Sequence, residues 1–95
     1  MNNTHDTSVI LDEHTVVSKA FYDHLRQQVR LALPALVPGV SYSPEVLCGR
    51  DYWDRLQRWQ QIAARKCMAY MVVHRQLPLT FGKPTRGNSK TYRLK

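Results

Sequence analysis

Apolar residues recur at every fourth position over residues 12–33, and this spacing predicts a helix with one face against a core. The recurring positions are Val17, Phe21, Leu25, Val29 and Leu33. Asp12 and Glu13 suit the start of such a helix, because acidic side chains are stabilised near a helix N-terminus. Pro34 favours an end, because a proline disfavours helical geometry in the residue before it. Residues 1–8 carry no apolar pattern, and we expect a disordered tail there.

The next stretch contains residues that interrupt and restart helices. Residues 34–42 hold two prolines and a glycine, and only a short strand is predicted there, within residues 37–42. Ser43 is a good N-cap and Pro44 suits the first helical position. Gly49 suits a helix end. The sequence therefore predicts little more than one turn of helix between Ser43 and Gly49.

Residues 50–76 are predicted to be helical almost throughout, because apolar residues recur there at spacings of three and four. A single helix of this length would be about 40 Å long at 1.5 Å per residue, which is long for so small a domain. We therefore predict two packed helices with a break near Gln61–Ala64. Trp53 and Trp59 lie about 120° apart around a helix, so core packing is predicted for them rather than a stacking platform for single-stranded nucleic acid.

Alternating apolar and polar residues at the end of the chain predict a β-hairpin. One arm, residues 77–81, contains Leu-Thr-Phe, and the other, residues 91–94, contains Tyr-Arg-Leu. The nine residues between the arms read GKPTRGNSK and are predicted to form a flexible loop, because they are rich in Gly, Pro, Asn and Ser. The last element is therefore a hairpin with a basic tip.

The net charge of +7 is unevenly distributed along the chain. Residues 1–54 carry four lysines and arginines and all seven acids, whereas residues 55–95 carry ten lysines and arginines and no acid. Charge of one sign opposes compaction through self-repulsion, and a polyanionic partner is the common reason to retain it. The length of 95 residues corresponds to one domain, which we assign to residues 9–95.

Motifs for catalysis or metal binding are missing from the sequence. It contains no Gly-rich phosphate loop, no GxSxG and no HExxH. The four histidines form no close pair, and Cys48 and Cys67 lie among apolar residues. We therefore predict no enzyme activity, no cofactor and no metal, and we expect both cysteines to be buried as free thiols. No apolar run reaches the roughly 18 residues of a membrane span, and no secretory signal is recognised, so a cytoplasmic protein is expected.

The predicted order is helix, short strand, short helix, one or two helices, and a basic-tipped hairpin. Residues SYSPEVLCGRDYWDRLQRWQQIAARKCMAYMVVHRQLPLTFG and the closing YRL carry this order. In this order of elements the chain resembles small winged helix-turn-helix proteins of phages and plasmids, over about residues 12–95. The resemblance implies an α+β, mainly helical fold with a C-terminal β-hairpin wing. It also implies a nucleoid-associated transcriptional regulator that binds double-stranded DNA sequence-specifically, with one helix in the major groove and the wing on the backbone or in the minor groove.

Two alternatives remain for the helix that would enter the major groove. If it is the helix near residues 62–75, Arg65 and Lys66 lie near its N-terminal end, where base contacts concentrate. If it is the helix near residues 51–62, Arg55 and Arg58 take that role, with Gln57 and Gln61 as readers of adenine. For both sets, a solvated polar helix face is the alternative interpretation. The candidate wing contacts are Lys83, Arg86, Asn88 and Lys90.

Other functions are compatible with the same sequence. The second hypothesis is a protein-interaction module, such as a phage-type inhibitor of a host complex, because fold alone does not determine function. RNA binding is a third and weaker hypothesis, because no RNP-like aromatic motif is present. Since many such regulators bind palindromic sites as two-fold dimers, we also predict a homodimer through helix 12–33.

Overall fold

The first described residues form a β-hairpin and not the start of a helix. The computed structural model describes residues 8–95. Strand β1 (Ser8–Asp12) pairs antiparallel with strand β2 (Thr15–Ser18). The predicted helix start at Asp12 is therefore wrong. Most of the predicted disordered tail, residues 1–7, lies outside the described residues, and Ser8 already belongs to β1.

The hairpin replaces seven residues of the predicted helix because two patterns compete at this point. Thr15, Val16 and Val17 are β-branched, and β-branched residues favour strands over helices. Val17 is buried and Val16 is exposed, as strand alternation requires. Ser18 then caps helix α1 (Lys19–Ala32), since its hydroxyl accepts a hydrogen bond from the Phe21 amide at 3.1 Å.

Helix α1 uses the predicted apolar period in part. Leu25 and Val29 are buried as predicted, whereas Phe21 is only half-buried and its neighbour Tyr22 is buried. The helix gives way to a 3₁₀ turn at Leu33–Ala35 that contains Pro34. The helix therefore ends where the sequence predicted, although it begins later.

Three further helices follow, and the break between the last two lies earlier than predicted. They are α2 (Pro44–Cys48), α3 (Arg50–Arg55) and α4 (Arg58–Val73). Leu56 and Gln57 adopt extended backbone, and the Gln60 side chain accepts a hydrogen bond from the Gln57 amide at 2.7 Å. This side-chain cap explains how the chain restarts a helix without glycine or proline. The predicted break at Gln61–Ala64 is wrong, because Ala63 and Ala64 are buried inside α4.

The C-terminal hairpin forms as predicted, and a third segment joins it. Strand β3 (Leu79–Phe81) pairs antiparallel with β4 (Tyr92–Leu94). The Tyr42 and Tyr92 backbones also exchange two hydrogen bonds, of 2.7 and 2.9 Å, in an antiparallel bridge. The segment at Tyr42 therefore lies beside β4, which lies between it and β3. The strand predicted within residues 37–42 is reduced to this bridge.

One hydrophobic cluster joins α1, α2, α3, α4 and the C-terminal hairpin. Its fully buried side chains include Leu25, Leu47, Met68, Met71 and Leu79. The first hairpin adds Val17 to the cluster and packs Val9 and Leu11 against it. The fold is thus α+β, about half helical, with two small antiparallel hairpins. Among the described helices, none combines the length and the apolar character needed to cross a membrane.

Candidate nucleic-acid interface

A basic cleft lies between α4 and the 82–91 loop that joins β3 to β4. Its volume is about 250 Å³. Arg65, Lys66 and Ala69 line it from α4, and Asn88, Ser89 and Lys90 line it from the loop. Pro44 and Tyr92, both buried, complete the lining. Four of the eight predicted DNA contacts, two from each side, therefore share one opening.

The other four predicted contacts lie outside this cleft. Lys83 and Arg86 are exposed on the same loop, and Arg58 is exposed at the first residue of α4. Arg55 ends α3 and lines a separate depression with His24 and Tyr52. Arg55 is thus separated from the cleft, whereas Arg58 lies on the same helix as Arg65 and Lys66. Of the four helical candidates, only Arg65 and Lys66 line the cleft beside the loop.

Burial of the opposite side of α4 explains why Arg65 and Lys66 reach the cleft. Ala64, Cys67 and Met68 are buried against the core. Because residues on a helix advance by about 100° each, these positions leave Arg65 and Lys66 on the solvent side. The apolar period of α4 is therefore what orients its basic residues.

The 82–91 loop is organised by its own hydrogen bonds, which the prediction of a flexible loop did not include. The backbone amide of Asn88 donates a hydrogen bond to the Thr85 carbonyl at 2.8 Å. The backbone amide of Thr85 donates one to the Ser89 carbonyl at 3.0 Å. Asn88 has a φ of 62°, and asparagine tolerates this left-handed region better than most residues do. This turn holds Asn88 and Lys90 on the side of the loop that faces α4.

The base of the loop depends on three residues that sequence reasoning missed. The Thr91 hydroxyl is buried and donates to the Lys83 carbonyl at 2.5 Å. Gly82 donates its amide to the Thr91 carbonyl at 2.9 Å. A Cβ atom on Gly82 would lie 2.5 Å from the Ser41 hydroxyl and 2.7 Å from the Thr91 hydroxyl. In the sequence, the only sign of this close approach is the glycine at position 82, directly after the predicted strand.

We expect Gly82→Ala to lower the free energy of unfolding by about 1–3 kcal/mol, because the added methyl group overpacks this contact and competes with the Thr91–Lys83 hydrogen bond. Gly87→Ala is the matched control in the same loop, since its nearest neighbour would be the Thr85 hydroxyl at 3.9 Å. We expect the control to stay within about 0.5 kcal/mol. Urea unfolding measures both, and equal stability of the two variants would contradict the close approach.

Two carboxylates from the first half of the chain lie beside the basic residues of α4. Glu45 Oε1 lies 3.5 Å from Arg65 Nη2, and the Arg65 guanidinium stands 5.1 Å from the centre of the Trp53 ring. Asp12 Oδ2 lies 3.5 Å from Lys66 Nζ, and Lys66 also donates to the Thr15 hydroxyl at 2.7 Å. The C-terminal half is therefore partly neutralised by the fold, although it contains no acid of its own.

The Asp12 carboxylate is further stabilised by its hairpin. The His14 amide donates to Asp12 Oδ1 at 2.8 Å and is the largest cause that lowers the pKa of Asp12. The nearby Lys66 ammonium lowers the pKa of Asp12 in the same direction. Asp12 is therefore ionised at neutral pH and remains a counter-charge for Lys66.

The two tryptophans have different environments. Trp53 is buried in the core as predicted, whereas Trp59 is exposed on the first turn of α4. The Trp59 indole donates to the Gln57 side chain at 2.8 Å, next to the helix break. The prediction of core packing is therefore correct for Trp53 and wrong for Trp59. The early break places Trp59 at a helix start, with one side open to solvent.

Comparisons with known proteins return no family model, no curated protein and no solved structure that matches this chain. The observations that bear on function are therefore the order of the elements, the contents of the basic cleft and the charges around it.

Proposed function

We propose that this chain is a winged helix-turn-helix protein that binds double-stranded DNA as a sequence-specific transcriptional regulator of phage or plasmid type. The element order supports this proposal, since α1, the bridge at Tyr42, the helices α2 to α4 and the β3–β4 hairpin follow one another as that fold requires. The position of β4 between Tyr42 and β3 is a second point of agreement. In this interpretation the 82–91 loop is the wing.

The observation that carries the proposal is the basic cleft. Arg65 and Lys66 from the helix and Lys90 and Asn88 from the loop line one opening. A helix in the major groove and a loop on the neighbouring backbone would bring a phosphate group between them. Lysine and arginine side chains neutralise such a phosphate, and the side-chain amide of Asn88 can donate a hydrogen bond to it.

Helix α4 is the better candidate for the reading helix. Arg58 and Arg65 are seven residues apart and so lie on nearly the same side of α4. Arg58 is at the N-terminal end, where base contacts of reading helices concentrate. Arg55, by contrast, ends a helix of six residues and faces a depression beside α1. We therefore favour Arg58 and Arg65 as base contacts, and Lys66 and Lys90 as phosphate contacts.

DNA would have to compete with the carboxylates already present. A phosphate approaching Arg65 replaces Glu45, and one approaching Lys66 replaces Asp12. The Lys66–Asp12 pair is exposed and contributes at most about 1 kcal/mol. The Glu45 carboxylate is half-buried and its Oε1 is buried beside Arg65, so replacing Glu45 at Arg65 costs more. A polyanion that brings several phosphates at once offsets these costs. The acids then lower non-specific affinity without preventing specific binding.

We expect Lys83→Ala, Arg86→Ala and Lys90→Ala in one variant to weaken binding to random duplex DNA and to flatten its salt dependence. With about six phosphate contacts, log affinity of the unchanged protein falls with log salt with a slope near −5. Loss of the loop contacts should reduce the magnitude of this slope by about 1 to 3. Fluorescence anisotropy of labelled duplex DNA across a salt series measures both slopes.

The matched control removes three exposed basic side chains that neither line the cleft nor are candidate DNA contacts, at Arg30, Arg50 and Arg75. Its net charge equals that of the loop variant, so we expect a nearly unchanged slope. Equal flattening in both variants would show that total charge, and not the loop, sets the affinity. No salt-dependent binding by the unchanged protein would overturn the proposed DNA binding itself.

One observation favours a second candidate function, a protein-interaction module. Three exposed side chains of α4 are the apolar Trp59, Ile62 and Val73, where a base-reading helix usually presents polar groups. Exposed apolar groups on one helix are typical of protein interfaces. The same salt titration separates the two functions, because a module that binds only protein leaves duplex DNA unbound.

A further inference from the structure

A buried carboxylate oxygen without a hydrogen-bond partner lies beside Arg65. It belongs to Glu45, in the first turn of α2, whose side chain is 25% exposed. Within residues 8–95, Glu45 Oε1 is the buried side-chain oxygen or nitrogen that makes no hydrogen bond. Its ion-pair partner is Arg65, whose Nη2 lies 3.5 Å away. A buried charge with incomplete pairing is destabilising, so this contact needs a physical explanation.

The Arg65 guanidinium is held on two sides by other helices. The buried Trp53 of α3 lies against its face, with 5.1 Å between the ring centre and Arg65 Cζ. Glu45 of α2 meets its edge at Nη2. Arginine stacks on aromatic rings through its flat face and pairs with carboxylates through its edge. Because one contact sets the plane of the guanidinium and the other limits its rotation within that plane, little orientational freedom remains.

This arrangement leaves donors of Arg65 for a ligand. A guanidinium carries five N–H donors, and an ion pair at one nitrogen leaves those of the other nitrogens. The Arg65 side chain is 45% exposed and lines the basic cleft. Arg65 can therefore keep its contact with Glu45 and still present two donors to a ligand on the solvent side.

The fixed orientation and the nearby negative charge favour a neutral planar ligand over a phosphate. O6 and N7 of guanine are two acceptors in one plane at the edge of the major groove, and arginine binds both in a bidentate contact. Donors that are already oriented lose less conformational freedom when they form such a contact. A phosphate accepts hydrogen bonds from many directions, so it gains less from fixed donors, and its charge is repelled by Glu45.

The neighbouring Lys66 has a different environment. Its ion pair with Asp12 is exposed at both ends. An ammonium group is also a compact charge on a flexible stem, without the planar fork of a guanidinium. Lys66 therefore suits a phosphate, whereas Arg65 suits the edge of a base.

We propose that Glu45 is a positioning residue, which together with Trp53 fixes the Arg65 guanidinium for bidentate recognition of a guanine in the major groove. This inference rests on the proposed DNA binding and extends it, because it assigns a base and a supporting carboxylate to Arg65. Glu45 acts through Arg65 and does not touch the DNA. It raises affinity for a cognate site and lowers affinity for other DNA.

The test measures affinity for two duplexes by fluorescence anisotropy at one salt concentration. One is the site that the unchanged protein selects from a randomised pool, and the other is a random duplex of equal length. Glu45→Met keeps the length of the side chain and removes the carboxylate. We expect it to bind the selected site more weakly and random DNA equally or more tightly. The ratio of the two affinities should fall about tenfold, as loss of one well-oriented bidentate contact predicts.

Asp12→Asn is the matched control, because it removes the same charge beside Lys66 and can still accept the hydrogen bond from the His14 amide. We expect it to bind both duplexes more tightly, with an unchanged ratio. Arg65→Gln should abolish the preference for one G·C pair of the selected site. In that background Glu45→Met should leave the ratio unchanged, because the two residues act as one unit.

Two results would overturn the positioning role while DNA binding stands. Equally tighter binding of both duplexes by Glu45→Met would make Glu45 only a repelling charge. Equally weaker binding of both would make it only a support of the fold. Failure of the unchanged protein to select a site or to bind random DNA would overturn the proposed DNA binding, and with it the reading of guanine.

A measurement without DNA tests the fixed guanidinium by itself. In ¹H–¹⁵N spectra of the unchanged protein, we expect the Arg65 Nε–H to give a resolved signal that exchanges slowly with water. Glu45→Met should lose this protection, whereas Asp12→Asn should keep it. The same protected signal in Glu45→Met would contradict the positioning role, whatever the outcome with DNA.

Discussion

Tyr92→Ala is expected to lower the free energy of unfolding by about 3–5 kcal/mol, as removal of a large buried aromatic ring usually does. Tyr92 is 1% exposed, and its ring centre lies 5.5 Å from that of Phe81 on the paired strand. The total stability of a small domain is about 5–15 kcal/mol, so this loss would unfold a large fraction of the protein or leave it marginally stable.

The effect is expected to be large because Tyr92 connects three parts of the fold. Its backbone pairs with Tyr42 on one side and with Phe81 on the other. Its side chain belongs to the hydrophobic cluster, and the residue also lines the basic cleft. Loss of the ring therefore loosens both the sheet and the foundation of the 82–91 loop.

Urea unfolding of two controls separates this packing from other effects. Tyr92→Phe keeps the ring, and we expect a change of at most about 1 kcal/mol. Arg93→Ala changes an exposed neighbour on the same strand and should stay within about 0.5 kcal/mol. If Tyr92→Ala lost no more stability than Arg93→Ala, the ring would not be a core element.

Stability is also expected to fall steeply above pH 9, because two free thiols are buried. Burial raises the pKa of the Cys48 thiol from 9.0 to about 12, with a further contribution from the Glu45 carboxylate. Burial likewise raises the pKa of the Cys67 thiol from 9.0 to about 12. Both thiols are therefore neutral in the folded protein over a range in which an unfolded chain would ionise them.

The direction follows from which state binds the proton. Below pH 9 the thiols keep their protons in both the folded protein and the unfolded chain, so they do not make stability depend on pH. Between pH 9 and about 12 the unfolded chain releases the proton while the folded protein keeps it, so stability falls as pH rises. The full shift corresponds to about 4 kcal/mol per thiol, and roughly half of this is expected by about pH 10.5. Tyr92 adds to the fall above pH 10, since burial raises its pKa to about 12.

Urea unfolding between about pH 7 and 10.5 tests this expectation. A Cys48→Ala, Cys67→Ala variant should start from lower stability, because two buried side chains are shortened, but its stability should fall less with pH. A thiol reagent at pH 8 should modify the native protein much more slowly than the unfolded chain, because the thiolate is the reactive form. Equal pH profiles for the two proteins would show that the thiols do not cause the alkaline instability.

Local patterns in the sequence determined much of the fold. The four-residue period predicted the buried face of α1, and Leu25 and Val29 lie there. Proline and glycine placed α2 between Ser43 and Gly49. Alternation predicted the pairing of β3 with β4. These elements were predictable because periodicity and turn residues act within a few positions, where the sequence contains the whole cause.

Two boundaries depended on competition that the sequence pattern did not resolve. Residues 12–18 satisfy a helical period, but their β-branched residues also satisfy a strand, and pairing with β1 selects the strand. The break at Leu56 and Gln57 has no glycine or proline, and a glutamine side chain caps the new helix. Tertiary packing decided both, because each alternative was locally acceptable. In the structure β2 pairs with β1, and Ala63 and Ala64 are buried inside α4.

The candidate site shows the same division. The sequence by itself determined that the last 41 residues are basic and that a loop with Lys83, Arg86, Asn88 and Lys90 follows a strand. Only the tertiary structure decided that Arg65 and Lys66 share a cleft with Asn88 and Lys90. It also decided that Glu45 lies beside Arg65 and Asp12 beside Lys66. Charge along a chain is additive and can be counted, whereas the distance between charges far apart in sequence exists only once the core has packed.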